Sequence, residues 1–157
     1  MLDAGAPAGL RNYFRGGYLS ELTDDVIDVV LEGGAAMPSP MSAIHLHQMG
    51  GAVGRVGVDA TTFSGRASSY TYNLVSIWSE AAEDTIHIAA NRRLAAALAP
   101  VSLPSTYVNF LTEATGDTDI PVRAAYGDDV YDRLARLKRE FDPTNLFRAN
   151  HNVRPAR

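Results

Sequence analysis

Without a single cysteine, this 157-residue sequence leaves its chemistry to phenols, amides, imidazoles and carboxylates. The sharpest grouping is Tyr107-Val108-Asn109, a phenol and an amide two residues apart and therefore on one side of an extended segment. A phenol ionises at about pH 10 and serves as a base near neutrality only where its neighbours favour the charged form. Tyr107 is thus either a tuned base or an ordinary half-buried strand aromatic. Tyr70 and Tyr72 share one face of another extended run, as phenols for the same cleft or as cross-strand packing partners. Asn150 and Asn152 flank His151, and each amide offers a donor and an acceptor together, for a ligand or for a turn. His45 and His47 alternate in a way metal sites use, but no third ligand lies nearby, so no metal is expected. Neither a G-x-S-x-G nor an H-E-x-x-H pattern supports a hydrolase.

These side chains need elements to hold them. Tyr70 to Trp78 reads as the strongest strand, with Tyr70, Tyr72, Leu74, Ser76 and Trp78 on one face and Thr71, Asn73, Val75 and Ile77 on the other. Ser42 to Met49 alternates as a second strand, and Ser105 to Leu111 is read as a third. Thr23, with Asp24 and Asp25 behind it, caps a first helix whose stripe is Val26, Ile27, Val30 and Leu31, with Gly33-Gly34 as its expected stop. Tyr13, Phe14 and Tyr18 ahead of it read as aromatic anchors packed on that helix. A second long helix runs from about Ser79 or Glu80 to Leu98, its core positions Ile86, Ala90, Leu94 and Leu98, ended by Pro100. A third carries Val130, Tyr131, Leu134, Leu137 and Phe141 on one face, with Asp128 or Asp129 as cap and Asp142-Pro143 as stop. Residues 1–10 read as a mobile lead-in and 113–118 as a polar loop.

The composition is that of one soluble domain: 46% hydrophobic, 20% charged and a net charge of −4, without a basic run for nucleic acid. No apolar stretch approaches the roughly 20 residues that span a bilayer, and no signal peptide is visible, so a cytoplasmic location is expected. Arginine outnumbers the single lysine, Lys138, as in GC-rich bacterial genomes. Helices interleaved with strands of mixed connection length predict an α+β fold, a mainly antiparallel β-sheet with helices packed on one face.

Tyr107-Val108-Asn109, Ala125-Tyr126-Gly127 and the run Phe141-Asp142-Pro143-Thr144-Asn145-Leu146-Phe147-Arg148-Ala149-Asn150-His151-Asn152-Val153 follow one another in an order that resembles the C-terminal segment of berberine bridge enzyme-like FAD-dependent oxidoreductases. Several separated motifs carry the resemblance, with residues 105–155 as its centre. Val153 departs from the isoleucine usual there. The resemblance implies a substrate domain lying against a separate FAD-binding domain, with Tyr107 as the base at a substrate hydroxyl and Tyr72 as a second phenol. It makes Asn109, Asn150 and Asn152 the amides that contact or orient the flavin. The substrate would be an alcohol, a sugar or a secondary metabolite.

No glycine-rich phosphate loop opening a helix occurs in the sequence, so FAD is implied by the resemblance but is not expected to bind tightly to this chain alone. An unpaired sheet edge or apolar face is then expected to be covered by a homodimer or by a separate flavin-binding partner. The other reading is a stand-alone, non-redox binding or assembly module derived from the same domain.

Overall fold

The computed structural model describes residues 9–57, 60–111, 122–149 and 151–157. Three strands, β1 (Arg11–Leu19), β2 (Ala43–Gln48) and β3 (Tyr70–Trp78), form one antiparallel sheet in the order β1-β3-β2. Among the described residues five α-helices accompany it: α1 (Asp24–Ala35), α2 (Ala52–Arg55), α3 (Asp84–Leu98), α4 (Val122–Tyr126) and α5 (Asp128–Phe141). The architecture is α+β, as the sequence predicts. The expected lead-in through residue 8 and the polar loop at 113–118 lie outside the described residues.

β3 is central because both its faces are covered, and seven of its nine residues are buried. Opposed residues of antiparallel strands share a face. The register therefore sorts the sheet into two surfaces. On one lie Leu19, Gly17, Arg15 and Tyr13 of β1, Tyr70, Tyr72, Leu74 and Ser76 of β3, and Ile44 and Leu46 of β2. α1 and α3 pack here, making a core of Leu19, Val26, Tyr72, Leu74, Leu94 and Leu98. The other surface presents Phe14, Gly16 and Tyr18, then Val75, Asn73 and Thr71, then Ala43, His45 and His47.

β1 is a strand where only helix-packing anchors are expected. Its signature is masked by Gly16 and Gly17, which the packing requires. A Cβ at Gly16 would sit 2.7 Å from the Phe110 ring and from the Tyr72 carbonyl oxygen, and one at Gly17 would sit 2.6 Å from the Tyr72 hydroxyl. Glycine in a strand marks such close approach. Gly33 and Gly34 do not stop α1 but lie inside it, because a Cβ at Gly33 would fall 2.3 Å from a Leu94 methyl of α3. The Thr23 cap with Asp24 and Asp25 in the first turn is as predicted.

Ser105 to Leu111 is not a strand. Phe110 N–H donates to the Tyr107 carbonyl at 2.8 Å, closing a 3-10 turn at Val108–Phe110. α3 begins at Asp84, later than expected, and its buried line is His87, Asn91, Leu94 and Leu98, while Ile86 is exposed. The polar members of that line find partners in the sheet for some of their atoms, while Asn91 Oδ1 and His87 Nδ1 stay unpartnered. Asn91 Nδ2 donates to the Leu74 carbonyl at 2.9 Å and to Ser76 Oγ at 3.0 Å, and the His87 ring stacks on Trp78 at 4.8 Å.

α5 starts behind Gly127, whose positive φ of 78° takes the cap position, so neither Asp128 nor Asp129 caps it. Both carboxylates sit in the first turn, where the helix dipole favours them, and Arg123 bridges Asp128 and Asp132. Its apolar stripe is only partly covered: Leu137 and Phe141 are exposed and Ala135 alone is buried, under a tail whose Ala156 N–H reaches the Ala135 carbonyl.

Candidate functional site

The surface without α1 and α3 collects most of the candidate side chains. Tyr107 enters in extended conformation ahead of the 3-10 turn, which brings Phe110 back beside it, ring centroids 5.0 Å apart and edge to face. Phe110 closes over Gly16 and lies 6.4 Å from the His47 ring, which fixes Tyr107 above the face of Asn73, Thr71 and the two histidines. Phe63 packs edge-on against Tyr107 from the opposite side, 6.1 Å away. Asn109 Nδ2 donates to the Tyr107 phenol oxygen at 2.8 Å, so the pair is brought together by the turn rather than by strand alternation. That donation leaves the phenol's own proton available to a different acceptor.

The tail arrives at the same place. His151 Nε2 bonds the Leu111 carbonyl at 3.1 Å, pinning residue 151 to the end of the Tyr107 segment. Asn152 follows, half-buried, and its Oδ1 is buried without a hydrogen-bond partner. Asn150 lies outside the described residues. The approach of the tail is set by Asp142, whose carboxylate accepts the Leu146 N–H at 2.8 Å and the Phe147 N–H at 3.1 Å while paired with Lys138. Asn145, in the left-handed region at φ 55°, completes that corner.

Tyr72 goes elsewhere. It belongs to the helix-covered surface, is 4% exposed, and its hydroxyl meets Ser102 Oγ at 3.0 Å. Burial pushes its phenol up, against the pull of the Ser102 bond and of Arg15, which is opposite to what a base needs. The expected cleft shared by Tyr72 and Tyr107 is not formed; the sheet lies between them.

Two residues of the site were not singled out from sequence. Asn73 is buried beneath this face with its Oδ1 unpartnered, directly opposite His45 in the register. Tyr18 is buried with an unpartnered hydroxyl, and burial raises its pKa to about 12, with Ser64 pulling it down and Tyr107 adding to the rise. Tyr126, half-buried, is also raised by burial and then by Tyr107. The available signal was alternation: Asn73 is the one amide on the second face of the strongest strand. His45 and His47 stand 6.0 Å apart and exposed, and among the described residues no three His, Cys, Asp or Glu gather as a metal group.

The arrangement is an aromatic shelf bearing a phenol and two buried amide acceptors. It suits a flat polar ring that offers an N–H. A flavin's pyrimidine edge is such a ring, so the donor set fits the ring end of FAD. Nothing among the described residues fits its diphosphate, because no glycine-rich loop opens one of the longer helices.

Comparison with known proteins shows what the chain is similar to. Residues 106–154 match the family model described as berberine and berberine like. The chain is 29% identical over 157 residues to an FAD-linked oxidoreductase of Dictyostelium discoideum, covering 99% of this chain and 33% of that protein. It superposes on a glycopeptide hexose oxidase complexed with teicoplanin with a TM-score of 0.77 at 26% identity, covering 94% of this chain and 33% of the other. The berberine bridge enzyme from Eschscholzia californica shares the fold, with a TM-score of 0.79, 19% identity and coverage of 94% and 33%. The likeness to the C-terminal segment of berberine bridge enzyme-like FAD oxidoreductases is thereby shown, and the chain spans about a third of the length of these relatives. Among the described residues no helix is long and apolar enough to cross a membrane.

Proposed function

We propose that this chain is the substrate-side portion of a berberine bridge enzyme-like FAD-dependent oxidoreductase, acting on a hydroxyl-bearing alcohol, sugar or secondary metabolite. One observation supports the reading: Asn109 holds the Tyr107 phenol, the His151–Leu111 bond ties the tail to the end of that segment, and the adjacent Asn152 amide oxygen is buried without a partner. Asn152 and Asn73 would hold the ring through their free acceptors, and Phe63 and Phe110 would keep water from it. A flavin, when bound, supplies a two-electron acceptor. Tyr107 Oη, once its own proton has passed to another acceptor, would take the substrate's hydroxyl proton as the phenolate that the Asn109 N–H steadies. His45 and His47, exposed at the margin, offer hydrogen bonds to further hydroxyls of the substrate. The large exposure of Leu137, Phe141, Leu146 and Phe147 supports the second reading, a non-redox assembly module.

Recognition of the ring alone makes a distinctive prediction. Titrated with the purified chain, riboflavin and FAD should show equal perturbation of the flavin visible band, and ADP should not compete. Asn152→Ala should weaken this by roughly five- to tenfold, the worth of one hydrogen bond. Equal binding of ADP and FAD, or an unperturbed visible band at saturating riboflavin, would refute the assignment.

A further inference from the structure

Residues 101–111 carry Tyr107 to the sheet, and of them Thr106 alone is buried, 4% exposed, while Val101, Leu103, Val108 and Phe110 are all more open. A polar side chain buried more deeply than its apolar neighbours is held there by a hydrogen bond. Thr106 Oγ1 donates to the carbonyl of Gly16 in β1 at 2.6 Å, 90 residues earlier in the chain.

Pro104 explains why a side chain does this. β1 is an edge strand, and its outward carbonyls need donors. Leu19 bridges Ser102, and the Tyr18 carbonyl accepts the Leu103 N–H at 2.8 Å, which starts an antiparallel ladder. Pro104 has no N–H with which to continue it. Two residues back along β1 from Tyr18, Gly16 turns its carbonyl to the same side, and the Thr106 hydroxyl supplies the missing donor. At the other end of the 3-10 turn the Phe110 ring covers the same glycine, where a Cβ would sit 2.7 Å from it. Tyr107 therefore stands between two anchors on one residue, a hydroxyl ahead of it and a ring behind. Both anchors lie within this chain.

We propose that Thr106 is a positioning residue for Tyr107, its hydroxyl fixing the point at which the phenol-bearing turn docks on β1. The Asn109–Tyr107 bond forms inside the turn and does not set where the turn sits. Phe63 belongs to a different element, and its edge-on contact with Tyr107 at 6.1 Å holds only while the turn keeps its place on the sheet. Thr106 acts through Tyr107 and is not itself a reacting group. Its consequence for catalysis rests on the function proposed above, whereas the placement of the Tyr107 ring does not.

Two substitutions separate the hydroxyl from the bulk of the side chain. Thr106→Val keeps the shape and removes the donor, and Thr106→Ser keeps the donor. In nuclear magnetic resonance spectra of the purified chain carrying isotope-labelled tyrosine, Tyr107→Phe identifies the Tyr107 ring signal by its loss. Thr106→Val should shift that signal, because the ring leaves Phe63, and should remove the cross-peaks between the Phe110 ring and the Gly16 α-protons. Thr106→Ser should restore both. The riboflavin dissociation constant should rise roughly three- to tenfold in Thr106→Val, the worth of one hydrogen bond, and return in Thr106→Ser. A valine variant that leaves the Tyr107 signal and the cross-peaks in place overturns the inference even if its stability falls, as does a serine variant no better than valine. Should the valine variant not fold, the wild-type chain carries the test: the Thr106 hydroxyl proton should resist exchange with solvent and show a cross-peak to Gly16, and a freely exchanging proton overturns the inference. An unperturbed riboflavin band in the wild-type chain removes the flavin reading alone, and the ring signal and cross-peaks still decide the role of Thr106.

Discussion

The two faces of this sheet are built from the same three strands and obey different rules. On the face under α1 and α3, buried polar side chains work for the fold: Asn91 ties α3 to the carbonyl of Leu74 and the hydroxyl of Ser76, and Tyr72 is bonded to Ser102. On the other face, Asn73 and Tyr18 are as deeply buried, yet Asn73 Oδ1 and the Tyr18 hydroxyl have no partner. A buried acceptor without a donor costs stability. Asn91 Oδ1 and His87 Nδ1 on the packed face are unpartnered as well, so the comparison teaches that what separates the two buried asparagines is the pair of bonds Asn91 Nδ2 makes to Leu74 and Ser76.

The largest expected effect lies on the packed face. Leu98→Ala, at a fully buried position, should cost about 2–5 kcal/mol in urea denaturation. The contrast sharpens with two identical substitutions of opposite outcome. Asn91→Leu strips carbonyl and hydroxyl partners of their donor and should destabilise by about 1–3 kcal/mol. Asn73→Leu removes an unmet acceptor and should leave stability unchanged or raised, while abolishing the perturbation of bound riboflavin. Equal losses from the two asparagines would break the distinction between the faces.

Smaller effects follow from titration. The Asp142 carboxyl is held below its ordinary value, first by the Lys138 hydrogen bond and then by the N–H groups of Leu146 and Phe147. Its stabilising contribution is therefore present above the unfolded value of 3.8 and is lost as pH falls through the lowered folded one. Asp142→Asn should flatten the acid limb of stability against pH. At the other extreme, Tyr18 ionises only at about 12 when folded but near 10.0 when unfolded. Stability should then decline as pH rises between these values, and Tyr18→Phe should remove that slope in alkaline melting curves.

How much of this was legible depends on how local each signal is. Tyr70 to Trp78 announces itself by β-branched and aromatic alternation, and the structure gives the same boundaries. The Asp142-Pro143 stop is equally local, because the carboxylate and proline act on their own neighbours. β1 was hidden because Gly16 and Gly17 answer to Phe110 and Tyr72, residues far away in the chain. The buried line of α3 runs through His87 and Asn91 because Trp78 and Ser76 make room for polar groups there, which no hydropathy pattern reports. For the site, Tyr107 with Asn109 was legible as a motif and the tail amides as another. That His151 joins them at Leu111, and that Tyr72 falls on the far side of the sheet, required the register.

The tail has a tether at each end. His151 is tied to Leu111, and Ala156 to Ala135 and Arg139, with Asn152 strung between the two ties. In an extended strap the side-chain direction reverses at every residue, so where Asn152 points is a matter of phase. Adding one residue between 147 and 151 would leave the span between the ties untouched, whereas adding one between 152 and 156 would shift the phase within it and leave both ties satisfiable only with slack. The second insertion, not the first, should weaken the flavin recognition proposed above.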